Sequence, residues 1–136
     1  MPIDQDHVQL WLDDYVRAWE SYDADEIGAL FLDDAEYRWH PYDSGDDVAR
    51  GRDQIVAGWL EEDARDPEGT YEGRYEPVAV DGNVGVARGT SRYFTDAART
   101  TLDREYHNVF LMEFDDEGRC RSFTELYMRT PAERAV

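Results

Sequence analysis

The stretch Tyr106-His107-Asn108-Val109-Phe110-Leu111-Met112-Glu113-Phe114 decides the fold. In an extended chain successive side chains point to opposite faces. Tyr106, Asn108, Phe110, Met112 and Phe114 therefore share one face, and Val109 and Leu111 lie on the other. A strand that is apolar on both faces belongs to a sheet that is covered on both. The same period of two begins at Thr70 and breaks at Asp81-Gly82-Asn83, around Asp96-Ala97-Ala98 and at Asp115-Asp116-Glu117-Gly118, each a turn-forming cluster. Four long strands in an antiparallel meander follow from that punctuation.

Upstream the period becomes helical. Val8, Trp11, Leu12, Tyr15 and Trp19 recur at steps of three and four, which predicts a helix from about residue 4 to residue 21. Asp23 with Glu26 three places on is a capping box, opening a short second helix whose inner face is Ile27, Leu30 and Phe31 and which Asp33-Asp34 closes. Ala35 to His40 is expected to be a strand ended by Pro41, with a polar loop over Asp43 to Val48. A third helix is expected over Asp53 to Ala64, with Ile55, Val56, Trp59 and Leu60 inward and Pro67 and Gly69 past its end. The result is a single α+β domain, three helices packed on a mainly antiparallel sheet. Three helices cover one face only, so the other needs a second copy of the chain, and a homodimer through the sheet is expected.

Composition narrows the chemistry. The chain has 136 residues and a formal net charge of −18; its 14 basic residues are all Arg, against 19 Asp and 13 Glu. With no Lys there is no Schiff base, no lysine-tethered cofactor and no phosphate-loop lysine. The acidic surface repels phosphate backbones and anionic lipid, so neither nucleic acid nor a membrane is an expected partner. A salt-rich cytoplasm and a GC-rich genome both account for an Asp-rich, Lys-free chain. The N-terminal residues lack a basic segment followed by an apolar one, and a cytoplasmic location is expected. Cys120, the lone cysteine, reads as a core residue, and it forms no ligand spacing with His7, His40 or His107, so no metal site is expected. Neither a Gly-x-Ser-x-Gly elbow nor a Gly-x-Gly-x-x-Gly loop is present.

Several stretches carry a family likeness: Tyr22-Asp23-Ala24-Asp25-Glu26-Ile27 leading into Leu30-Phe31-Leu32-Asp33-Asp34-Ala35, then Gly51-Arg52-Asp53-Gln54-Ile55, then Glu113-Phe114-Asp115-Asp116-Glu117-Gly118-Arg119 with Glu125-Leu126-Tyr127 behind. In this order they resemble the nuclear transport factor 2-like, or SnoaL-like, fold. The resemblance implies a strongly curved mixed sheet and helices enclosing a cone-shaped pocket, in a family of ketosteroid isomerases, polyketide cyclases, dehydratases, an epoxide hydrolase and binding domains. Against the steroid isomerases, Tyr15 falls at the oxyanion-binding tyrosine and His40 at the catalytic aspartate, while Phe31 and Trp59 replace two supporting tyrosines. Phe110 replaces the second oxyanion donor, a carboxyl group kept protonated in that enzyme. These departures speak against steroid isomerase activity itself.

The expected site follows. His40, Tyr15 and Glu125 are the catalytic candidates, an imidazole suited to acid–base work near neutrality beside a hydroxyl and a carboxyl in an apolar cone. Asn108, Tyr127, Trp59, Phe110 and Phe31 are expected around a small apolar ligand, with Arg88 paired to Glu125 on a shared face. Each has a plainer reading: a strand-end histidine, a structural ion pair, core aromatics. The reading is a cofactor-independent isomerase, cyclase or dehydratase acting on a small carbonyl compound; the alternative is a non-catalytic binding or dimerisation module. An open cavity where His40, Tyr15 and Glu125 converge favours the enzyme.

Overall fold

The computed structural model describes residues 3–61 and 66–134. Helix α1 (Gln5–Ser21) starts where the Asp4 side chain accepts the His7 amide, and turns Val8, Trp11, Leu12, Tyr15 and Ala18 into the core. It ends at Tyr22, which takes the left-handed conformation (φ 52°) and returns its N–H to the Ala18 carbonyl. Helix α2 (Ala24–Gly28) is capped by Asp23, which accepts the amides of Asp25 and Glu26. The Glu26 carboxylate accepts the Ser21 hydroxyl.

The second helix is shorter than expected. Phe31 is not on its inner face but opens strand β1 (Phe31–Arg38), pairing with Cys120. Asp33-Asp34 accordingly lies inside that strand, where the register shifts between Phe31 and Glu36. Ladder bonds to a long neighbouring strand outweigh the propensity of a two-turn helix. His40 is beyond the strand end, in a turn. The polar loop contains a single 3-10 turn, Gly45–Asp47, and leads to a two-residue strand β2 (Ala49–Arg50). Helix α3 (Arg52–Trp59) stops at Leu60, earlier than expected; the remainder of the expected helix, 62–64, falls outside the described residues. Ile55 and Trp59 are its buried residues.

The meander is present as expected: β3 (Tyr71–Asp81), β4 (Val84–Phe94), β5 (Leu102–Phe114) and β6 (Cys120–Arg129). All six strands form one sheet in the order β2-β1-β6-β5-β4-β3, with β1 parallel to β6 and the other pairs antiparallel. The sheet is therefore mixed and mainly antiparallel, as the resemblance implied. Gly89 sits opposite Tyr75 in the β3–β4 pair, and a Cβ there would strike the Arg74 carbonyl and stand 2.7 Å from the Tyr75 Cα. Glycine at this place lets β3 close over β4, which brings Tyr75 inward.

On the inner face the helices and sheet share one aromatic core around Phe123, whose ring meets those of Trp11, Tyr15, Phe31, Tyr37 and Phe110. The outer face of the sheet leaves Val84, Val109, Leu111 and Met128 exposed. Among the described residues no helix is long and apolar enough to cross a membrane.

Candidate active site

Strand registers carry the site. Tyr75 pairs with Gly89, Ser91 with Tyr106, Asn108 with both Gly89 and Tyr127, and Phe110 with both Ala87 and Glu125. Alternation therefore gathers Tyr71, Tyr75, Ser91, Tyr93, Tyr106, Asn108, Phe110, Glu125 and Tyr127 on the inner face. They wall a cavity of about 450 Å³ together with Tyr15 and Trp19 of α1 and with Trp39. That volume suits a small organic ligand.

One wall centres on Glu125. Its Oε1 accepts a very short hydrogen bond from the Tyr37 hydroxyl and a longer one, 3.4 Å, from the Tyr15 hydroxyl. Both tyrosines are buried in the aromatic core. Burial disfavours the charged form of Glu125 and raises its pKa to about 7, while the two hydroxyls pull the other way and are outweighed. The tyrosines respond as expected beside a buried acid. Burial first, and then charge on neighbouring groups including Glu125, holds both phenols well above their ordinary range. Glu125 is thus a carboxyl group poised between acid and base at neutral pH.

The opposite wall is a chain of neutral donors and acceptors. Tyr71 and Tyr75 join their hydroxyls at 2.8 Å, Tyr75 reaches the Ser91 hydroxyl, and the Asn108 amide donates to Ser91 Oγ at 2.6 Å. Burial pushes the Tyr75 phenol up to about 12, against the pull of its bonds to Ser91 and Tyr71. The Asn108 side chain is shared between the Ser91 hydroxyl and the Tyr75 hydroxyl. Further round the wall the Arg104 guanidinium donates to Asp66 at 2.8 Å and lies over the Tyr93 ring at 4.1 Å. Among the described residues no group of three or more His, Cys, Asp or Glu is placed to hold a metal ion.

Of the residues singled out in the sequence, Tyr15, Glu125, Asn108, Phe110 and Tyr127 line this cavity. The other four do not. Trp59 and Phe31 are fully buried core residues; Trp59 stacks on Trp19 at 4.3 Å, and it is Trp19 that reaches the cavity. Arg88 pairs across the sheet with Val109 and donates to Glu76 at 3.1 Å, so it occupies the outer face and makes no pair with Glu125. The parity of β4 excludes it from the inner face, since Ala87 and Gly89 are the inward residues there. His40 stands at the rim, outside the cavity wall, with Nε2 2.8 Å from the Tyr127 hydroxyl and Nδ1 3.2 Å from Asp43 Oδ1. Two of the three catalytic candidates converge, and the third is one residue removed.

Sequence reading passed over Tyr37, Tyr75 and Ser91. Parity was a usable signal for the first: Ala35, Tyr37 and Trp39 alternate, whereas His40 is out of step with them. For Tyr75 and Ser91 the signal was tertiary, because nothing local distinguishes these hydroxyls from surface ones.

The sequence matches the model of the SnoaL-like domain over residues 12–123. No curated protein sequence matches the chain. Among solved structures, the epoxide hydrolase/cyclase-like enzyme SalBIII, which acts in pyran ring formation in the polyether salinomycin, superposes with a TM-score of 0.68 at 19% identity, covering 92% of this chain and 93% of that one. A protein from Sphaerobacter thermophilus superposes with a TM-score of 0.61 at 19% identity, covering 88% and 94%. At that identity the likeness establishes the architecture. With the domain model spanning most of its length, this chain belongs to the SnoaL-like family of the nuclear transport factor 2-like fold.

Proposed function

We propose that the chain is a cofactor-independent acid–base enzyme of the isomerase, cyclase or dehydratase kind, acting on a small, mostly apolar carbonyl compound, with Glu125 moving the proton. The observation that carries this reading is the carboxyl group itself: half-buried against aromatic rings, held by two tyrosine hydroxyls, with a pKa raised to about 7. A base in that state takes a proton from the carbon beside a carbonyl and, as an acid, returns it to another atom of the same ligand. Tyr15 and Tyr37 orient the carboxyl group, and the cavity-lining Asn108 amide is the donor for the enolate oxygen. The cyclase-like neighbour SalBIII supports the same class of chemistry.

The experiment is exchange of α-hydrogens for deuterium in small cyclic ketones such as 2-tetralone, followed by proton NMR in buffered heavy water. The native protein is expected to accelerate exchange, and Glu125→Gln to lose about two to four orders of magnitude of that acceleration. No acceleration across the ketones tested would favour a binding module.

The exposed outer face supports a dimer. A hollow of about 1050 Å³ crosses it between Arg88, Val109 and Leu126, flanked by His40, Pro41 and Tyr42. Covering these apolar residues with a second copy removes them from water. Light scattering at micromolar concentration is expected to give twice the chain mass, and the chain mass alone would contradict the dimer.

A further inference from the structure

We propose that Tyr127, driven by His40 and Asp43, is a second proton-transfer centre of the cavity, one that takes the hydrogen of a ligand hydroxyl. It rests on the reading of Glu125 above and adds the class of ligand that the site is built for.

The geometry begins in the turn after β1. The Asp43 amide donates to the His40 carbonyl at 3.1 Å, which closes the turn, and the His40 amide donates to Asp43 Oδ2 at 3.0 Å, which fixes the Asp43 carboxylate against it. Pro41 presets the φ that a turn needs at its second position. The Asp43 side chain is only 8% exposed, and its Oδ1 lies 3.2 Å from His40 Nδ1. A carboxylate only accepts, so the hydrogen of the neutral imidazole sits on Nδ1 and Nε2 is left with its lone pair. The Tyr127 hydroxyl is 2.8 Å from Nε2 and donates to it. A carboxylate, an imidazole and a hydroxyl in this order form the arrangement that activates a hydroxyl in hydrolytic triads. Here the hydroxyl belongs to a tyrosine that lines the cavity.

Tyr127 and Glu125 are two residues apart on β6, with their side chains on one face. Their backbones are roughly 7 Å apart. That span accommodates one small molecule between a base and an acid. A ligand hydroxyl gives its hydrogen to the Tyr127 oxygen as Tyr127 gives its own to His40 Nε2, and the imidazolium faces the Asp43 carboxylate. The ligand oxygen forms a bond to the carbonyl carbon, the carbonyl π pair moves onto its own oxygen, and that oxygen takes the proton of Glu125. Protons balance: one leaves the hydroxyl, one leaves Glu125, and half-exposed His40 returns the surplus to water, from which Glu125 is reloaded. The ligand class is a small hydroxy-carbonyl compound closing on itself, and Tyr127 is the catalytic residue, with His40 and Asp43 acting through it.

The test needs no substrate. Phenylmethanesulfonyl fluoride sulfonylates a tyrosine when a base removes its proton: the phenol oxygen bonds to sulfur, fluoride leaves and the hydrogen goes to His40. The full chain is treated with it and each tyrosine followed by peptide mass mapping. Tyr42 stacks on the His40 ring, so N-acetyltyrosinamide added to the same mixture is the reference for an unassisted phenol. Tyr127 is expected to react about ten- to a hundredfold faster than the free amide, and His40→Gln and Asp43→Asn to remove most of that advantage. Glu125→Gln is expected to keep that advantage, which separates this inference from the ketone exchange assay. Labelling of Tyr127 no faster than the free amide, or a ratio unaffected by His40→Gln, overturns it.

Discussion

Glu125→Gln is expected to be more stable than the native protein above about pH 7, indistinguishable from it in acid, and inactive. The sign follows from the direction of the shift. Burial raises the Glu125 pKa from 4.5 to about 7 in the folded chain. Below the lower value the carboxyl is protonated in both folded and unfolded states and contributes no difference. Between the two, the unfolded chain ionises while the folded one holds its proton, so native stability falls as pH rises. Above about 7 both states are ionised, and the folded state carries the full cost of a charge among aromatic rings. Each pKa unit corresponds to about 1.4 kcal/mol, so the deficit is about 3 kcal/mol at most. Glutamine fills the same space, still accepts from Tyr37 and Tyr15, and carries no charge. Urea denaturation of both proteins across this pH range measures the difference directly, and subtracting one curve from the other cancels the remaining 31 acidic groups. A mutation that adds stability and removes activity marks a site whose chemistry is held at the expense of the fold.

The second large effect is expected from Phe123→Ala. This ring is fully buried and is approached within 4.8 Å by Tyr37, 4.9 Å by Phe110, 5.6 Å by Tyr15 and 5.7 Å by Trp11, measured between ring centres. Removing it loses the transfer free energy of the ring and leaves a void that these four aromatic neighbours and Phe31 cannot close together. A cost of about 3–5 kcal/mol is expected, a large part of the about 5–15 kcal/mol typical of a domain. The denaturation midpoint should fall steeply with an unchanged slope. Phe123 also backs the two tyrosines that hold Glu125. Water admitted to the void would relieve the burial of the carboxyl, so its pKa should move back toward the ordinary value. Phe123→Leu, which keeps most of the volume, is expected to lose less of both.

The fold was legible because its determinants are local and repeated. The alternation of Tyr106 to Phe114 and the Asp-Gly and Gly-containing turns mark the meander, and the stripe of Val8, Trp11, Leu12 and Tyr15 marks α1. The errors fall where a short segment chooses between partners. Phe31 has helical spacing from Ile27, yet its backbone finds a ladder in β6, a partner almost ninety residues later that no local pattern announces. The site was legible to the same extent. Parity on β5 and β6 placed Asn108, Phe110, Glu125 and Tyr127 inward, and the α1 stripe placed Tyr15 among them. Arg88 failed by one position of parity, and His40 by the end of a strand two residues before it. Trp59 failed for a different reason. A helix face identifies which residues are buried but not whether protein or cavity covers them, and here Trp19 stands between Trp59 and the ligand space.

The missing lysine has a bearing on this site. With no lysine amine to charge, the cavity wall meets its ligand, among the described residues, with Arg104 already paired to Asp66, the Glu125 carboxyl group, a set of hydroxyls and the Asn108 amide. Glu125 is an inward group whose charge changes near neutrality. The direct measurement is the titration of its side-chain carboxyl by carbon NMR on labelled protein, assigned by the signal lost in Glu125→Gln. A midpoint at about 7 is the result that follows from burial between Tyr37 and Tyr15. A midpoint at the ordinary value of 4.5 would mean that water reaches the carboxyl group freely, and would contradict the acid–base role.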